Sequence, residues 1–403
     1  MSKRLYYTDA YTLKFDANVI ERTEVDGQPA VVLDQSYFYP TTGGQPHDVG
    51  LLGDAVVTNV VVRKEDGAVL HQLDRADLPD SVSGKIDWER RFDHMQHHCG
   101  QHILSRAFIE TVDAPTKGFH MGPALCTIDI DVAELSKAEI EAAETLANRI
   151  VQENRPVDVR EVTLEEAQAL PIRKLPPLAP GSMVRLVDIT DFDLTACGGT
   201  HVARTGEIGL IKVVGTERRK KMLRVSFLCG GRAIKDYDRK LHVLQDLTRL
   251  LSTGEENLAG SVDKMQQEGK LMSRDLRILR RDKLVAEAKK FEDAFEPVGN
   301  VFVFTHVFND GESVDDLRQI ATTLCEKEDR IVLIGSAGAQ AMLLFRSSAD
   351  DSYHMGDLLR GVLEHIGSRS GGGRADQAQG GGQAATVENV SAALQAARSN
   401  LSA

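Results

Sequence analysis

Long apolar runs are missing from this sequence. No uncharged apolar stretch approaches the roughly 18 residues that a membrane-spanning helix needs. The start of the chain, Met-Ser-Lys-Arg-Leu-Tyr-Tyr, has neither the apolar core nor the small-residue cleavage site of a secretory signal peptide. These absences exclude integral membrane proteins from the expected classes, and we expect a soluble, cytoplasmic protein.

Cysteine is also scarce. An odd number of cysteines spread over a long chain does not fit a disulfide framework, which leaves metal binding or simple burial as their roles. The five are Cys99, Cys126, Cys197, Cys229 and Cys325. One of them, Cys197, has neighbours typical of a metal ligand.

Positive charge is in deficit, because 48 Lys and Arg face 60 Asp and Glu, which gives a formal net charge of −12. Such a balance argues against a nucleic-acid partner, since phosphate binding depends on clustered Lys and Arg. Residues 212–240 are an exception, with ten Lys and Arg against three acids. Taken alone, this run fits a solvated surface as well as it fits a nucleic-acid contact.

Hydrophobic periodicity divides the chain into regions of different character, and the fold class that it predicts is α+β. The regions are a β-rich, barrel-like domain at 1–90, an α+β domain at 91–231, a helical or coiled-coil linker at 232–296, and an α/β domain with a glycine-rich segment at 297–403. In the first region, β-branched runs such as Ala55–Val62 alternate with turn signals. In the second, the pattern predicts a helix over Trp88–Val112 and another over Ser136–Asn154, with strands between and after them.

The linker has no proline up to residue 296, and its apolar residues recur in steps of three, four and seven. Gly254 and Gly260 weaken a continuous helix. One long coiled-coil rod and two helices packed as a hairpin therefore remain equal alternatives.

Two short motifs contain candidate metal ligands. Positions four apart share one face of a helix, so His98 and His102 can direct two imidazoles to one ion, although His94 and His98 have the same spacing. In Cys197-Gly-Gly-Thr-His201 the glycines permit a turn tight enough for the thiolate and the imidazole to converge. Together the motifs predict a tetrahedral zinc site. The alternative is a set of ordinary helix histidines and a buried thiol.

Three strings occur in the order Phe-Tyr-Pro-Thr-Thr-Gly-Gly-Gln-Pro-His-Asp-Val-Gly at 38–50, His-Cys-Gly-Gln-His-Ile-Leu at 98–104 and Cys-Gly-Gly-Thr-His-Val at 197–202. In that order they resemble the editing region of alanyl-tRNA synthetases and the free-standing alanyl-tRNA editing proteins called AlaX. A fourth string, Gly-Ser-Arg-Ser-Gly-Gly-Gly-Arg-Ala-Asp-Gln-Ala-Gln-Gly-Gly-Gly at 367–382, resembles the DHH-associated domain that ends the synthetases and the long AlaX proteins. The resemblance therefore covers nearly the whole chain.

The resemblance implies the register of the metal site. It selects His98, His102, Cys197 and His201 as the zinc ligands, because the residue matching the first ligand precedes the x-Gly-x-His string. His94 and His97 are then expected on the helix surface. Two departures flank the metal: Gln101 stands where a Thr is common, and Cys99 stands where a hydroxyl residue is frequent. The amino-acid preference of the family is therefore not carried over residue by residue.

The resemblance also implies an activity. The expected substrates are Ser-tRNA(Ala) and Gly-tRNA(Ala), whose ester is hydrolysed, and a site that hydrogen-bonds a serine hydroxyl can discriminate strongly against alanine. No stretch resembles an aminoacylation domain, so we expect editing in trans without ATP. Four protein ligands are typical of a structural zinc site, which leaves open whether the ion activates water or only orders the pocket.

Further site residues follow from their neighbourhood in the sequence. The Gly43-Gly44-Gln45 turn can bring main-chain donors and one amide close to the ester or the ribose, although an ordinary hairpin turn explains it as well. Thr42, Asp193 and Gln101 are weaker catalytic candidates.

The expected tRNA contacts are basic residues of two segments, for which a solvated surface and a flexible glycine loop are the alternatives. These residues are Arg218, Arg219, Lys220, Lys221, Arg224, Arg369 and Arg374. The C-terminal helical and DHH-associated regions are a possible homodimer interface.

A rival interpretation from another class is a non-catalytic, zinc-stabilised tRNA-binding module, which shares the ligands and the basic run. A second rival, a phosphoesterase, is disfavoured because no aspartate-histidine-histidine motif accompanies the C-terminal domain.

Overall fold

A computed structural model describes residues 2–309, 312–349, 353–368 and 370–401. The chain divides into two compact units, Met1–Leu247 and Thr248–Ala403. Among the described residues, no helix combines the length and the apolar composition needed to cross a bilayer. The metal-ligand motifs both belong to the first unit.

The N-terminal part of the first unit is a closed six-stranded barrel with strand order β2-β3-β7-β6-β5-β8. Buried and exposed residues alternate throughout Ser81–Ile86, whereas Val69–Leu73 is buried throughout, and the barrel core includes Phe38 and Leu73. The sequence prediction of a small barrel at this end is confirmed. The strands are β1 Lys3–Arg4, β2 Lys14–Val25, β3 Gln28–Leu33, β4 Gln35–Ser36, β5 Gly50–Leu52, β6 Ala55–Val62, β7 Val69–Leu73 and β8 Ser81–Ile86.

Helix α1, Trp88–Val112, follows the barrel and has the bounds that the sequence predicted. The side chain of Asp87 caps it by accepting from the Arg90 N–H, and Asp113 ends it in the left-handed conformation at φ 51°. Residues 94–105 of the helix are all buried. The fold therefore buries the polar residues of this stretch of α1 as well as the apolar ones.

Two small sheets enclose α1. One has the order β14-β15-β10-β9 and the other the order β11-β12-β13, and α2 packs along α1 over a shared apolar core. The predicted strands of this region are confirmed within a few residues of their ends. The elements are β9 Thr116–Met121, β10 Cys126–Ile130, α2 Lys137–Gln152, β11 Val157–Thr163, α3 Leu164–Gln168, β12 Met183–Ile189, β13 Asp193–Ala196, β14 Ile211–Arg219 and β15 Met222–Cys229.

A buried ion pair joins the barrel to α1. Arg91 and Asp48 have fully buried side chains, and the guanidinium donates to the carboxylate and also to the main-chain oxygens of Tyr37 and Ala10. Because every one of these acceptors lies outside α1, the pair fixes the helix against the barrel loop that carries Gly43 and Gly44.

Two helices follow β15 in the chain, α4 Gly230–Leu251 and α5 Leu258–Lys289. The helical pattern breaks around Gly254, so one continuous rod is not what forms. Much of the predicted apolar stripe is solvent-exposed in the structure, including Leu247, Val262, Met265, Leu276 and Leu279.

The second unit contains a six-stranded sheet of order β16-β17-β18-β19-β21-β20. Only β17 and β18 pair in parallel, because only their connection contains a crossover helix, α6. The predicted α/β domain therefore has a mixed sheet in which four of the five strand pairs are antiparallel. The elements are β16 Glu296–Val298, β17 Val301–Phe308, α6 Val314–Leu324, β18 Arg330–Ser336, β19 Met342–Ser347, α7 Met355–Arg360, β20 Gly371–Gly373, β21 Gln377–Gly381 and α8 Val387–Ser399.

Candidate metal centre and active site

Four side chains of the first unit meet at one point. His98 and His102 come from consecutive turns of α1, and Cys197 and His201 come from the loop that follows β13. Their ligand atoms lie within 4.8 Å of one another. The Cys197 Sγ lies 3.3 Å from the Nε2 atoms of both His98 and His201. The structure thus brings together the four residues that the sequence selected, with His98 and not His94 in the cluster.

The donors of this cluster suit a metal ion. The Nε2 atom of His102 and the Nδ1 atom of His201 are buried without a hydrogen-bond partner in the described part of the chain. Burial lowers the pKa of His98 to about 3 and lowers the pKa values of His102 and His201 well below the usual 6.5. All three imidazoles are therefore neutral near pH 7, which is the form that ligates metals.

Opposing effects act on the pKa of the Cys197 thiol. Burial raises its pKa, while the Gly199 N–H and the guanidinium of Arg185 lower it. The Gly199 amide lies 3.4 Å from Sγ. Arg185 also fixes the loop, since it donates to the Cys197 carbonyl at 2.7 Å and its own carbonyl accepts from the Cys197 N–H at 3.1 Å. Three imidazole nitrogens and one sulfur form a set that could hold a metal ion.

The two glycines of the ligand loop are not equivalent. A Cβ atom on Gly199 would lie 2.1 Å from the His98 ring, whereas one on Gly198 would meet only the Tyr7 ring, at 3.9 Å. Only a glycine at position 199 therefore allows the loop to close against His98.

The Gly43-Gly44 turn lies between the barrel and β9. Thr42 and Gln45 exchange main-chain hydrogen bonds across it, and both glycines have positive φ, at 56° and 86°, as a type I′ turn requires. The Gly44 carbonyl accepts from the Met121 N–H at 3.2 Å. Neither glycine amide has an acceptor among the residues that the structure describes.

Gln45 is fully buried and faces the metal ligands. Its Oε1 accepts from the Thr200 main-chain N–H at 3.1 Å and lies 2.7 Å from His98 Nδ1, while its Nε2 donates to Thr200 Oγ1 at 2.8 Å. Because a main-chain N–H can only donate, the shared atom must be the amide oxygen. His98 Nδ1 then carries the proton, and the lone pair of its Nε2 points toward Sγ.

A second polar group holds His102. Arg173 forms a two-pronged ion pair with Asp193 at 2.7 and 2.9 Å, and its Nη2 lies 3.0 Å from His102 Nδ1. Asp193 Oδ2 is 3.9 Å from the same nitrogen. The Asp193 carboxylate is almost completely buried, and burial raises its pKa although Arg173 opposes the shift. Asp193 thus contacts a ligand through this pair and does not line the open cavity.

A cavity with a volume of about 260 Å³ lies at the cluster. We call it the metal cavity, because metal ligands line its wall. Gly43, Gln101, Thr116 and Phe119 line it together with His98, His102 and Cys197. Gln101 and Thr116 both donate to Ser105 Oγ, each at 2.7 Å. Of the residues expected from the sequence, Gly43 and Gln101 line this cavity, whereas the exposed Thr42 does not.

Sequence reasoning missed part of this wall. Arg173, Thr116 and Phe119 belong to no motif, and no periodicity distinguishes them from their neighbours. His94 and His97 were expected on the helix surface, and this expectation is wrong, because both are buried. The sheets packed around α1 enclose them.

The predicted basic segment forms the β14–β15 hairpin. Arg218, Arg219, Lys220 and Lys221 are exposed near its tip. Arg224 is half-buried and makes a two-pronged ion pair with Asp129, at 2.7 and 2.8 Å. Acids from distant parts of the chain therefore neutralise part of the charge that the sequence places here.

The glycine-rich segment forms β20, β21 and their turn. Arg374 is exposed in this turn, and its main-chain N–H donates to the Gln377 carbonyl at 2.7 Å. Arg369 lies outside the described residues.

Comparisons with known proteins match both units. Residues 184–225 match the family described as the threonyl and alanyl tRNA synthetase second additional domain, and residues 300–403 match the DHHA1 domain. The alanyl-tRNA editing protein AlaX-L of Pyrococcus horikoshii is 31% identical over the full length of both chains. The alanyl-tRNA editing protein Aarsd1-B of Xenopus laevis is 31% identical over 84% of this chain and 79% of its own.

Alanine–tRNA ligases are also similar to this chain. That of Pyrococcus furiosus is 34% identical over 83% of this chain but only 37% of the ligase. The chain thus spans less than half the length of the ligases it matches.

Proposed function

The chain belongs to the family of alanyl-tRNA editing proteins, and we propose that it is an aminoacyl-tRNA hydrolase acting on Ser-tRNA(Ala) and Gly-tRNA(Ala). The observation that carries this proposal is a small cavity whose wall contains three of the four cluster residues, His98, His102 and Cys197, together with hydroxyl and amide side chains. An ester carbonyl and a short amino acid fit the chemistry of such a cavity.

We propose zinc as the metal, because a set of three imidazole nitrogens and one thiolate is typical of zinc sites. His98, His102, Cys197 and His201 would hold it. A bound zinc ion supplies Lewis acidity toward an ester carbonyl or a water molecule. The unpartnered buried Nε2 of His102 supports a metal at this point, since a buried polar atom without a partner is costly.

Gln45 and Asp193 act on the ligands in this proposal. The Gln45 oxygen keeps the Nδ1 proton of His98 in place, which leaves Nε2 free to ligate. For His102, ligation through Nε2 would put the ring proton on Nδ1, and the Asp193 carboxylate oxygen lies 3.9 Å from that nitrogen. The Gln45 carboxamide thus orients the imidazole of His98, and the Asp193 carboxylate orients the imidazole of His102.

The substrate would be held by other groups. The main-chain N–H groups of Gly43 and Gly44 would form the oxyanion hole. Both glycines have positive φ values, and neither N–H has an acceptor among the described residues. Thr116 and Gln101, which meet at Ser105, offer hydrogen bonds to a serine hydroxyl. A site of this kind prefers serine to alanine, because alanine would leave polar groups unpaired.

The tRNA body is proposed to contact the basic surfaces. The exposed Arg218, Arg219, Lys220 and Lys221 at the hairpin tip are available for phosphates, Arg224 to a smaller degree because of Asp129, and Arg374 offers a further contact. Arg369 is kept as an expectation from the sequence alone. Replacement of Lys220 and Lys221 by alanine should weaken tRNA binding and flatten its salt dependence by about two charges.

We further propose that the chain edits in trans without ATP and forms a homodimer through the apolar side chains exposed on α5, such as Met265, Leu276 and Leu279. Sedimentation equilibrium of the full chain tests the dimer. A monomer at micromolar concentration, unchanged when Leu276 and Leu279 become serine, would contradict it.

One assay tests the central proposal. Purified, zinc-loaded protein is incubated with Ser-, Gly- and Ala-tRNA(Ala), and free amino acid is measured for the wild type and for Cys197→Ala. We expect hydrolysis of the first two substrates, little of the third, and loss of activity in the variant. Equal hydrolysis of Ala-tRNA(Ala) would contradict proofreading.

The rival proposal is a zinc-stabilised tRNA-binding module without catalysis, and the closed set of four ligands is the observation that favours it. It predicts tRNA binding with no release of amino acid from any of the three substrates. His201→Ala adds a second test: if this variant kept full zinc and full deacylation, His201 would be neither a ligand nor needed for the reaction.

A further inference from the structure

A second, larger cavity lies beside α1. It has a volume of about 1040 Å³, at the upper end of the range of roughly 300–1,000 Å³ that ligand pockets occupy. Its wall comes from the first turns of α1, the turn between β9 and β10, and the start of α4. We call it the aromatic cavity, because the side chains of Trp88 and Phe92 line it.

Trp88 and Phe92 form a stacked pair in this wall, with ring centroids 4.9 Å apart and an interplanar angle of 26°. Both side chains are half-buried, so part of their ring surface remains open to the cavity. Unpaired nucleobases stack on exposed aromatic rings of this kind.

His94 lines the same cavity and is only 2% exposed. Its imidazole has no hydrogen-bond partner in the described part of the chain. His97, three residues further along the same helix, uses both ring nitrogens. Its Nδ1 lies 2.8 Å from the Asp93 carbonyl oxygen, and its Nε2 accepts from the Cys229 N–H at 3.0 Å. A buried histidine that serves the fold is thus satisfied, as His97 is. His94 keeps its hydrogen-bonding capacity for a molecule in the cavity.

Four basic residues and three acids line the aromatic cavity, namely Arg90, Arg232, Lys235 and Arg239 against Glu89, Asp93 and Asp236. Arg232 is engaged with Asp93, and Arg239 with Asp236. Lys235 is exposed and has no ion pair among the residues that the structure describes. An exposed, unpaired ammonium beside an aromatic pair suits a nucleotide, which presents a phosphate and a base together.

Two segments run from the metal cavity to the aromatic cavity. Gly43 lines the first and Pro46 the second, and Phe119 lines the first and Gly122 the second. Three residues of extended chain span about 10 Å, so the two cavities are near neighbours. A strand of RNA that ends at the metal cavity can therefore reach the aromatic cavity with a nucleotide close to its end.

We propose that the aromatic cavity binds an unpaired nucleotide of the tRNA acceptor end, with its base on the Trp88–Phe92 pair, His94 as a hydrogen-bond partner and Lys235 on its phosphate. The proposal rests on the proposed function, because it places the esterified adenosine at the metal cavity. It adds a subsite that fixes the single-stranded end of the substrate.

The test uses uncharged RNA, so it does not depend on deacylation. Fluorescent hairpins that reproduce an acceptor stem, one with an unpaired CCA end and one blunt, are titrated with the full chain. We expect the wild type to bind the CCA hairpin more tightly than the blunt one. Phe92→Leu should weaken binding of the CCA hairpin roughly tenfold with little effect on the blunt hairpin, whereas Phe92→Tyr, which keeps the ring, should retain it.

Lys235→Ala gives a second measurement at an exposed position that does not depend on packing. It should lower the salt dependence of CCA-hairpin binding by about one charge. Lys137→Ala, an exposed lysine of α2 outside both cavities, is the matched control and should bind like the wild type. Equal binding of both hairpins by the wild type, an equal loss for both in Phe92→Leu, or unchanged salt dependence in Lys235→Ala would overturn the proposal.

Discussion

Replacement of Gln45 by leucine tests whether this residue acts on the metal ligands. Leucine has a similar volume but no acceptor, so the His98 Nδ1–H and the Thr200 N–H both lose their partner in a fully buried place. Each unsatisfied donor costs about 1–3 kcal/mol, which gives a loss of about 2–6 kcal/mol for the pair. A lost contact of this kind also weakens metal binding, typically 10- to 100-fold.

The assay is zinc affinity, measured by competition with a chromogenic chelator, together with thermal unfolding. Gln45→Glu keeps two acceptor oxygens and should hold zinc much more tightly than Gln45→Leu. Gln96→Leu is the matched control. Gln96 is a buried glutamine of α1 that donates to the Glu207 carbonyl at 2.8 Å and makes no hydrogen bond to a metal ligand. It should lower stability without changing zinc affinity.

The result that would refute this reasoning is a Gln45→Leu variant with the zinc affinity of the wild type. If that variant also lost deacylation, Gln45 would act on the substrate, near the ester or the ribose, as the sequence analysis expected. The experiment therefore separates the two roles of this residue.

Three further changes have expected outcomes. Gly199→Ala should abolish zinc binding, because its Cβ would enter a ligand ring at 2.1 Å, while Gly198→Ala, with its nearest contact at 3.9 Å, should bind zinc normally; equal affinities would contradict the argument. Burial lowers the pKa of His71 to about 4, so the unfolded chain takes up a proton below about pH 6.5 while the folded chain does not. His71 alone should therefore contribute about 2 kcal/mol to the fall in stability from neutral pH to pH 5, so urea unfolding should show a fall about 2 kcal/mol smaller in a His71→Gln variant, and an equal fall in that variant would disprove the assignment. Arg91→Leu should cost about 3–5 kcal/mol, because it leaves the buried Asp48 carboxylate unpaired, and an unchanged melting temperature would contradict this.

The metal-ligand cluster was predictable for a local reason. Helical spacing brings His98 and His102 to one face, and the glycines of the Cys197–His201 loop permit a tight turn, so each half of the site is specified within five residues. The choice of His98 over His94 needed the resemblance to a family, since spacing alone allowed both. The bounds of α1 were likewise readable, because the apolar pattern that predicts them lies within the helix.

Other features depend on residues that are far apart in the sequence. The basic excess around Arg224 was overestimated, because Asp129 comes from another strand of the same sheet. His94 and His97 were placed on the surface because the resemblance made His98 the first ligand, and the sheets that bury them follow later in the chain.

By itself, the sequence determined the barrel and the long helix through periodicity, and it determined the four ligands through short-range spacing together with the family resemblance of their motifs. Only the tertiary structure decided that Gln45 faces His98 across 53 positions, that Arg173 and Asp193 reach His102, and that Thr116 and Gln101 meet at one hydroxyl. The physical reason is that these contacts join elements through packing, and no local pattern records which distant side chain will fill a given place.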